Sequence, residues 1–310
     1  MPMSASARPT SAGSRAGLDR PVNPWVAGAR PRTLGAAVTP VFVGTGVAWS
    51  EVGSDVVWWR AGAALVVALA LQVGVNFAND YSDGVRGTDD DRVGPARLTA
   101  SGAVSPGAVR RAAALAFLVA ASTGLALAVV VDLRLLLVGA ASIAAGVLYT
   151  GGPRPYGYSG GGELAVLGFF GIVATTGTAY VQLERIPLVV WPAGLALGAA
   201  AAALLVVNNL RDIETDERSG KRTLAVRLGA PRTRNLYVGS MVAAFVLAGA
   251  IGVTRPPALV ALAAAPLALR PVRAIVVHRG GPTDFLAALQ GTARLGLVFG
   301  ILLAAGIAAS

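Results

Sequence analysis

Residues 57–89 read VWWRAGAALVVALALQVGVNFANDYSDGVRGTD: a long apolar run, then an abrupt cluster of Asn76, Asn79, Asp80 and Asp83. A helix of about 20 apolar residues crosses a bilayer, so the first part is long enough to span. Asn76 precedes Asp80 by four positions and Asn79 precedes Asp83 by four. If the helix continues into the cluster, that spacing stacks the polar side chains on one face. The pattern returns once. After the apolar run 188–207 come Asn208, Asn209, Arg211, Asp212, Glu214 and Asp216, and then Gly220, Lys221 and Arg222, with Asn208, Asp212 and Asp216 four apart.

The remaining chain places both clusters at a membrane. Of 310 residues 55% are hydrophobic and only 14% charged, with a mean hydropathy of +0.64, outside the range of soluble domains. Nine apolar segments stand out, at about 33–50, 57–79, 108–131, 133–150, 163–182, 188–210, 236–254, 256–277 and 285–309. Glycines and Pro40 interrupt the first, and four prolines interrupt the eighth. Both are tolerated in membrane helices when neighbours satisfy the freed backbone groups. Residues 1–22, rich in Ser, Ala, Arg, Gly and Pro without an apolar core, read as a disordered cytoplasmic tail, and 23–310 as a single nine-helix domain.

The net charge of +10 could suit nucleic acid, but aromatics make up 6% and the arginines sit in short inter-helix loops, so no nucleic-acid partner is expected. An N-terminus inside the cell puts 21 of the 26 Lys and Arg residues on the cytoplasmic side and leaves only Arg60, Arg134, Arg185 and Arg255 opposite. That bias sets the topology, with both acidic clusters cytoplasmic and the C-terminus outside. Arg294 falls within the last segment, where an ionisable group either faces a cavity or pairs structurally. Trp25, Trp49, Trp58, Trp59 and Trp191 sit near segment ends, as interface anchors do.

Several carboxylates per cluster repel one another unless cations neutralise them. Cysteine is absent and neither cluster holds a His, which argues against zinc and leaves oxygen donors of the kind Mg²⁺ prefers. Lys221 is the only lysine in the chain and lies in the second cluster, where a compact ammonium can meet a phosphate. The chemistry this suggests is ionisation of an allylic diphosphate whose hydrocarbon tail lies among the helices. Two rival readings are capped, solvated helix ends and a transporter with Asp-rich cation sites. The matched spacing on two helices opposes the first, and carboxylates at one membrane face, away from the midplane, oppose the second.

At these residues the chain resembles the UbiA superfamily of intramembrane prenyltransferases, and in particular its menaquinone branch. The resemblance rests on Asn79-Asp80-x-x-Asp83, on Gly87-x-Asp89, on Gly94-Pro95-x-Arg97-Leu98 and on Tyr149-Thr150-Gly151-Gly152-Pro153. It is completed by Asn208-Asn209-x-Arg211-Asp212-x-x-x-Asp216 and Gly220-Lys221-x-Thr223-Leu224-Ala225-Val226-x-Leu228-Gly229. Where many members carry a third Asp four residues after Asp83, this chain has Gly87, with Asp89 two later. The resemblance implies an all-α integral membrane fold of nine transmembrane helices around a central cavity with cytoplasmic cap loops, in the cell membrane among lipids. It implies two Mg²⁺ ions at Asn76, Asp80, Asp83, Asn208, Asp212 and Asp216, with Lys221 among the catalytic residues. Asn79, Arg86, Asp89, Arg97, Tyr149, Arg211, Lys221 and Arg222 would then contact diphosphate or acceptor. The implied substrates are a polyprenyl diphosphate and 1,4-dihydroxy-2-naphthoate, with 4-hydroxybenzoate, homogentisate, haem or chlorophyllide as alternative acceptors.

Overall fold

The architecture is that of a computed structural model describing residues 23–88, 97–277 and 281–310. A short helix α1 (Pro24–Ala29) and one 3₁₀ turn lead into α2 (Gly35–Val52). Next come α3 (Trp58–Val85), α4 (Pro106–Val130), α5 (Leu135–Thr150) and α6 (Gly162–Leu183). The second half holds α7 (Val190–Arg211), the short α8 (Ile213–Arg218), α9 (Leu224–Thr254), α10 (Pro256–Val276) and α11 (Pro282–Ala308). Among the described residues there is no strand. With no water in the hydrocarbon to satisfy backbone groups, helices are the expected solution.

Seven of these helices are long and apolar enough to cross a membrane, or eight if Pro24–Thr33 and Gly35–Asp55, bent by 48°, count as one span. The segment expected at 133–150 is the 16-residue α5, apolar but shorter than a full crossing of about 20 residues. The first and eighth segments carry the irregularities that their Pro and Gly content implies. Pro256–Ala268 winds as a 3₁₀ helix before α10 becomes α-helical. The seventh segment begins earlier than its hydropathy suggests. Thr223 caps the helix by accepting from the Val226 N–H at 3.4 Å, and the chain kinks at Gly229, whose φ of +73° favours glycine.

The main core gathers α2, α7, α9, α10 and α11 around Val43, Val47, Leu197, Tyr237, Phe299 and Leu303. Lipid tails are as apolar as these side chains, so their close packing, more than any escape from water, holds the helices together. Small residues allow the approach. A Cβ at Gly171 of α6 would stand 2.4 Å from the Gly194 carbonyl oxygen and 2.5 Å from Gly198 Cα, so α6 and α7 cross backbone to backbone. Tyr237 and Thr292 share a buried hydrogen bond of 2.8 Å between α9 and α11.

On the other side of α6 the bundle is hollow. Residues Leu167–Val173 form a π-helical segment, which widens the turn and lets the adjacent Phe169 and Phe170 both face the hollow. Arg294 is exposed on the outer surface of α11, so it neither lines that hollow nor sits in the core. The five tryptophans are all exposed.

Candidate active site

The cluster after the second apolar run is helical: α3 extends through Asp83 to Val85, six residues past its apolar limit. Asn76, Asn79, Asp80 and Asp83 therefore share one face, and all four line the hollow. Asp80 is 1% exposed and Asp83 5%. Carboxylates buried this far need partners, because an unpaired buried charge is costly. Asp80 accepts from the backbone N–H groups of Leu98 (3.2 Å) and Thr99 (3.3 Å), which fold the segment before α4 over the end of α3. Asp83 accepts from the Tyr158 hydroxyl.

The amide of Asn76 is engaged at both ends: its oxygen accepts from Gln72 at 3.2 Å and its nitrogen donates to the Ala29 carbonyl at 2.9 Å. That bond ties α1 to α3. Asn79 accepts from the Thr150 hydroxyl at 2.8 Å and so ties α3 to the end of α5.

The second cluster breaks between α7 and α8, yet its hydrogen-bond ladder continues. The Asp212 N–H donates to Asn208 O at 3.2 Å and the Asp216 N–H to Asp212 O at 2.8 Å. Asn208, Asp212 and Asp216 consequently remain stacked and all line the same hollow. Arg211 grips both oxygens of Asp212, at 2.6 and 2.7 Å, and donates to Asn208 Oδ1 at 2.9 Å. Asn209 donates to Glu163 at 2.9 Å.

Lys221 joins the two clusters. Gly220, with φ +78°, turns the chain so that the Lys221 N–H reaches Asp216 O at 2.8 Å. Its ammonium then lies 3.7 Å from Asp83 and 3.8 Å from Asp216, 4.7 Å from the centre of the Tyr158 ring. The Arg222 N–H donates to Tyr158 O at 2.7 Å, fastening the 219–223 turn to the Tyr158 loop. Burial, and next the negative charge of Asp83, push the Tyr158 phenol up to about 12. The hydroxyl thus keeps its proton and acts as a donor.

One cavity of about 1110 Å³ contains this whole arrangement, together with Arg97, Tyr149 and Arg211. Two expected residues stand outside it. Arg86 turns away to donate to the carbonyls of Thr150 and Gly152, its guanidinium 5.5 Å from the Tyr158 ring, and so braces the loop after α5. Arg222 is exposed and does not line the cavity. Asp89 lies outside the described residues.

Sequence reasoning missed two residues. Tyr158 sits in a Gly- and Pro-rich loop with no local pattern to mark it. Arg30 enters the sequence reading only as one of the cytoplasmic positive charges. It lines the cavity from the turn between α1 and α2, with φ +54°, a conformation few non-glycine residues adopt, and its buried Nη2 has no hydrogen-bond partner. Backbone strain of this kind costs roughly 1–3 kcal/mol and persists where the surrounding structure imposes it. Its Arg-Pro-Arg setting was the available signal.

Residues 37–295 match the sequence profile of the UbiA prenyltransferase family. The chain belongs to that family. Within it, the chain is 50% identical over 285 residues to the 1,4-dihydroxy-2-naphthoate octaprenyltransferase of Mycobacterium tuberculosis, spanning 92% of this chain and 96% of the relative. The protein of that name from Escherichia coli is 36% identical over 294 residues, covering 91% and 94%. In three dimensions this UbiA chain resembles a UbiA homolog from Archaeoglobus fulgidus solved with GPP and Mg²⁺. The TM-score is 0.64 at 14% identity, over 91% of this chain and all of the other.

Proposed function

We propose that this chain transfers a polyprenyl group from a polyprenyl diphosphate to 1,4-dihydroxy-2-naphthoate, releasing diphosphate and CO₂. The observation that carries the reading is that Asp83 and Asp216, from separate helices, flank one lysine inside a cavity that continues into apolar space. The naphthoate acceptor is supported by the names of relatives at 50% and 36% identity over most of their length.

Among the described residues no three Asp, Glu, His or Cys side chains gather as a ready-made cation cage. This suits Mg²⁺, which is commonly held by one or two carboxylates and completes its shell with phosphate oxygens and water. Asp80 and Asp83 on one wall and Asn208, Asp212 and Asp216 on the other would hold two such ions, while the Asn76 amide beside them is engaged by Gln72 and Ala29. When bound, the metal neutralises charge on the departing diphosphate. Lys221 adds a fixed positive charge beside the same oxygens, and Arg97 and Arg211 extend it. Arg30, whose buried Nη2 has no hydrogen-bond partner, would receive the acceptor's carboxylate. The apolar walls exclude water from the allylic carbon.

In the reaction the C1–O bond of the donor breaks and its electron pair leaves with diphosphate. The naphthoate carbon bearing the carboxylate forms the new C–C bond. The C–CO₂ bond then breaks, and its electrons restore the aromatic ring. No net proton transfer is required, and the product is the reduced form of demethylmenaquinone.

In the same reading the chain crosses the cell membrane nine times, with the site on the cytoplasmic side. Two features support this. The N-terminal helix α1 binds α3 at the site end through Asn76, whereas Ser310 contacts Arg255 at the opposite end, at 3.1 Å. The four basic residues at that opposite end are all paired with acids. Arg60 meets Glu184 at 3.6 Å, Arg134 meets Asp132 at 2.7 Å, and Arg185 and Arg255 meet Glu51 at 2.5 and 2.9 Å. The positive charge left unneutralised is therefore at the site end.

The test is product analysis by mass spectrometry with purified protein, Mg²⁺, polyprenyl diphosphate and a panel of aromatic acceptors. Prenylation of dihydroxynaphthoate with equimolar CO₂ and diphosphate is expected. Preference for another acceptor, or no diphosphate release, overturns the reading.

A further inference from the structure

The cavity is deeper than the chemistry needs. Down α3 its lining runs from Asp83 through Asn76 and Gln72 to Ala68 and Ala64. That is nineteen positions at a rise of 1.5 Å, or about 28 Å. The charged and amide side chains of the lining lie at Gln72 and above it, and below it the walls are apolar apart from hydroxyls such as Thr178. On α6 the facing stripe is Val166, Phe170, Val173, Gly177 and Val181, and on α5 it includes Ser142, Gly139 and Leu135.

Three lining glycines, Gly124, Gly139 and Gly177, differ from those that hold the fold, and the latter two lie on the facing stripes of α5 and α6. At Gly171, Gly194 and Gly198 a Cβ would strike a neighbouring backbone, so packing explains them. At Gly139 and Gly177 a Cβ would meet nothing within 4 Å. Glycine inside a helix is less stable than alanine, and here no protein atom requires the space. What these two glycines keep open is the cavity itself.

The deep end is closed between α3 and α6. The lining stops at Ala64 and Val181, and just beyond them Arg60 donates to Val181 O at 2.8 Å. Val57 and Gln182 exchange two hydrogen bonds, of 3.0 and 3.2 Å.

Resting on the function proposed above, we infer that Gly139 and Gly177 set the longest prenyl chain this enzyme accepts, by keeping the deep arm of the cavity open as far as the Arg60 and Gln182 latch. A side chain at either position shortens the arm without touching the metal or diphosphate residues.

The experiment compares kcat/KM for octaprenyl and geranyl diphosphates, with dihydroxynaphthoate and Mg²⁺, in wild type, Gly177→Leu, Gly139→Leu and Gly239→Leu. Gly239 is an exposed α9 glycine outside the cavity and controls for loss of a helix glycine. The expected result is at least a tenfold loss for the octaprenyl donor in both cavity variants, with the geranyl donor within threefold of wild type and the control unchanged. Unaltered octaprenyl turnover in both cavity variants overturns the inference alone, since the tail then leaves the bundle elsewhere. So does an equal loss for both donors in variants that elute as wild type does. If Gly177→Leu fails to fold, Gly139→Leu on the second wall decides. Wild-type protein inert with both donors removes the functional reading, and this inference with it.

Discussion

The Lys221 ammonium stands 3.7 Å from Asp83, a residue of the other acidic cluster, and only slightly farther, at 3.8 Å, from Asp216 in its own. It is the cationic joint between two carboxylates that otherwise repel. Lys221→Met should lower kcat/KM by about 10²-fold or more, the scale of losing one electrostatic contact to a developing anion. Lys221→Arg should recover little, because a planar fork does not fit a point-charge position. Steady-state kinetics with varied donor check this, and near-wild-type rates in Lys221→Met would remove the role.

Asp80 and Asp212 line the same cavity from different clusters. Asp80→Asn and Asp212→Asn should each reduce turnover by roughly 10²–10³-fold. The purified proteins should keep wild-type elution profiles, since asparagine preserves shape and part of the hydrogen bonding. Product formation and size-exclusion chromatography together provide the check.

Chelation offers a reversible version of the same test. Stripping divalent ions with EDTA should abolish prenyl transfer, and added Mg²⁺ should restore it. Donor binding measured without metal should weaken as well, because carboxylates and diphosphate then repel. Full activity in excess chelator is the outcome that sinks the metal assignment.

Tyr158 allows a pH test with a definite sign. Its phenol is raised to about 12, against about 10 for an exposed tyrosine. Its stabilising contribution is therefore complete below pH 10 and is lost as pH rises toward 12. Tyr158→Phe should melt lower than wild type by an amount that is constant from pH 7 to 9.5 and shrinks above pH 10. At neutral pH the missing donor to Asp83 should cost about 2 kcal/mol. Scanning fluorimetry across that range measures the difference, and a gap that widens above pH 10 contradicts the assignment.

Packing between α6 and α7 makes a prediction independent of catalysis. A methyl at Gly171 would lie 2.4 Å from a backbone oxygen that cannot swing aside. Gly171→Ala should destabilise by about 1–3 kcal/mol, as overpacking does. Gly177→Ala, on the open face of the same helix, should melt no lower than wild type and gain up to about 1 kcal/mol, because alanine is the better helix former and nothing blocks its methyl. Equal melts for the two variants would show that the helices do not cross where they do here.

Hydropathy located every long helix because the bilayer imposes length and composition on a span, whatever its neighbours. It misjudged ends. The α3 helix runs to Val85 because Asp80 and Asp83 are satisfied by the Leu98 and Thr99 amides and by Tyr158, partners that lie far along the chain. It likewise began the seventh segment too late, since the Thr223 cap and the Gly229 kink are local chemistry with no hydropathy signature. Arg86 and Arg97 looked equivalent in the sequence, yet Arg86 braces a loop and Arg97 faces the cavity.

From its sequence by itself, then, this protein was legible as a membrane bundle with two acidic, oxygen-rich helix ends on one side, because apolar length and four-residue spacing are properties of a single helix. Only the tertiary structure decided that Lys221 joins the clusters, that Tyr158 and Arg30 belong to the site, and that Gly177 faces open space while Gly171 is packed shut. Those facts depend on how separate helices and loops meet, and spacing along one helix carries no information about its neighbours.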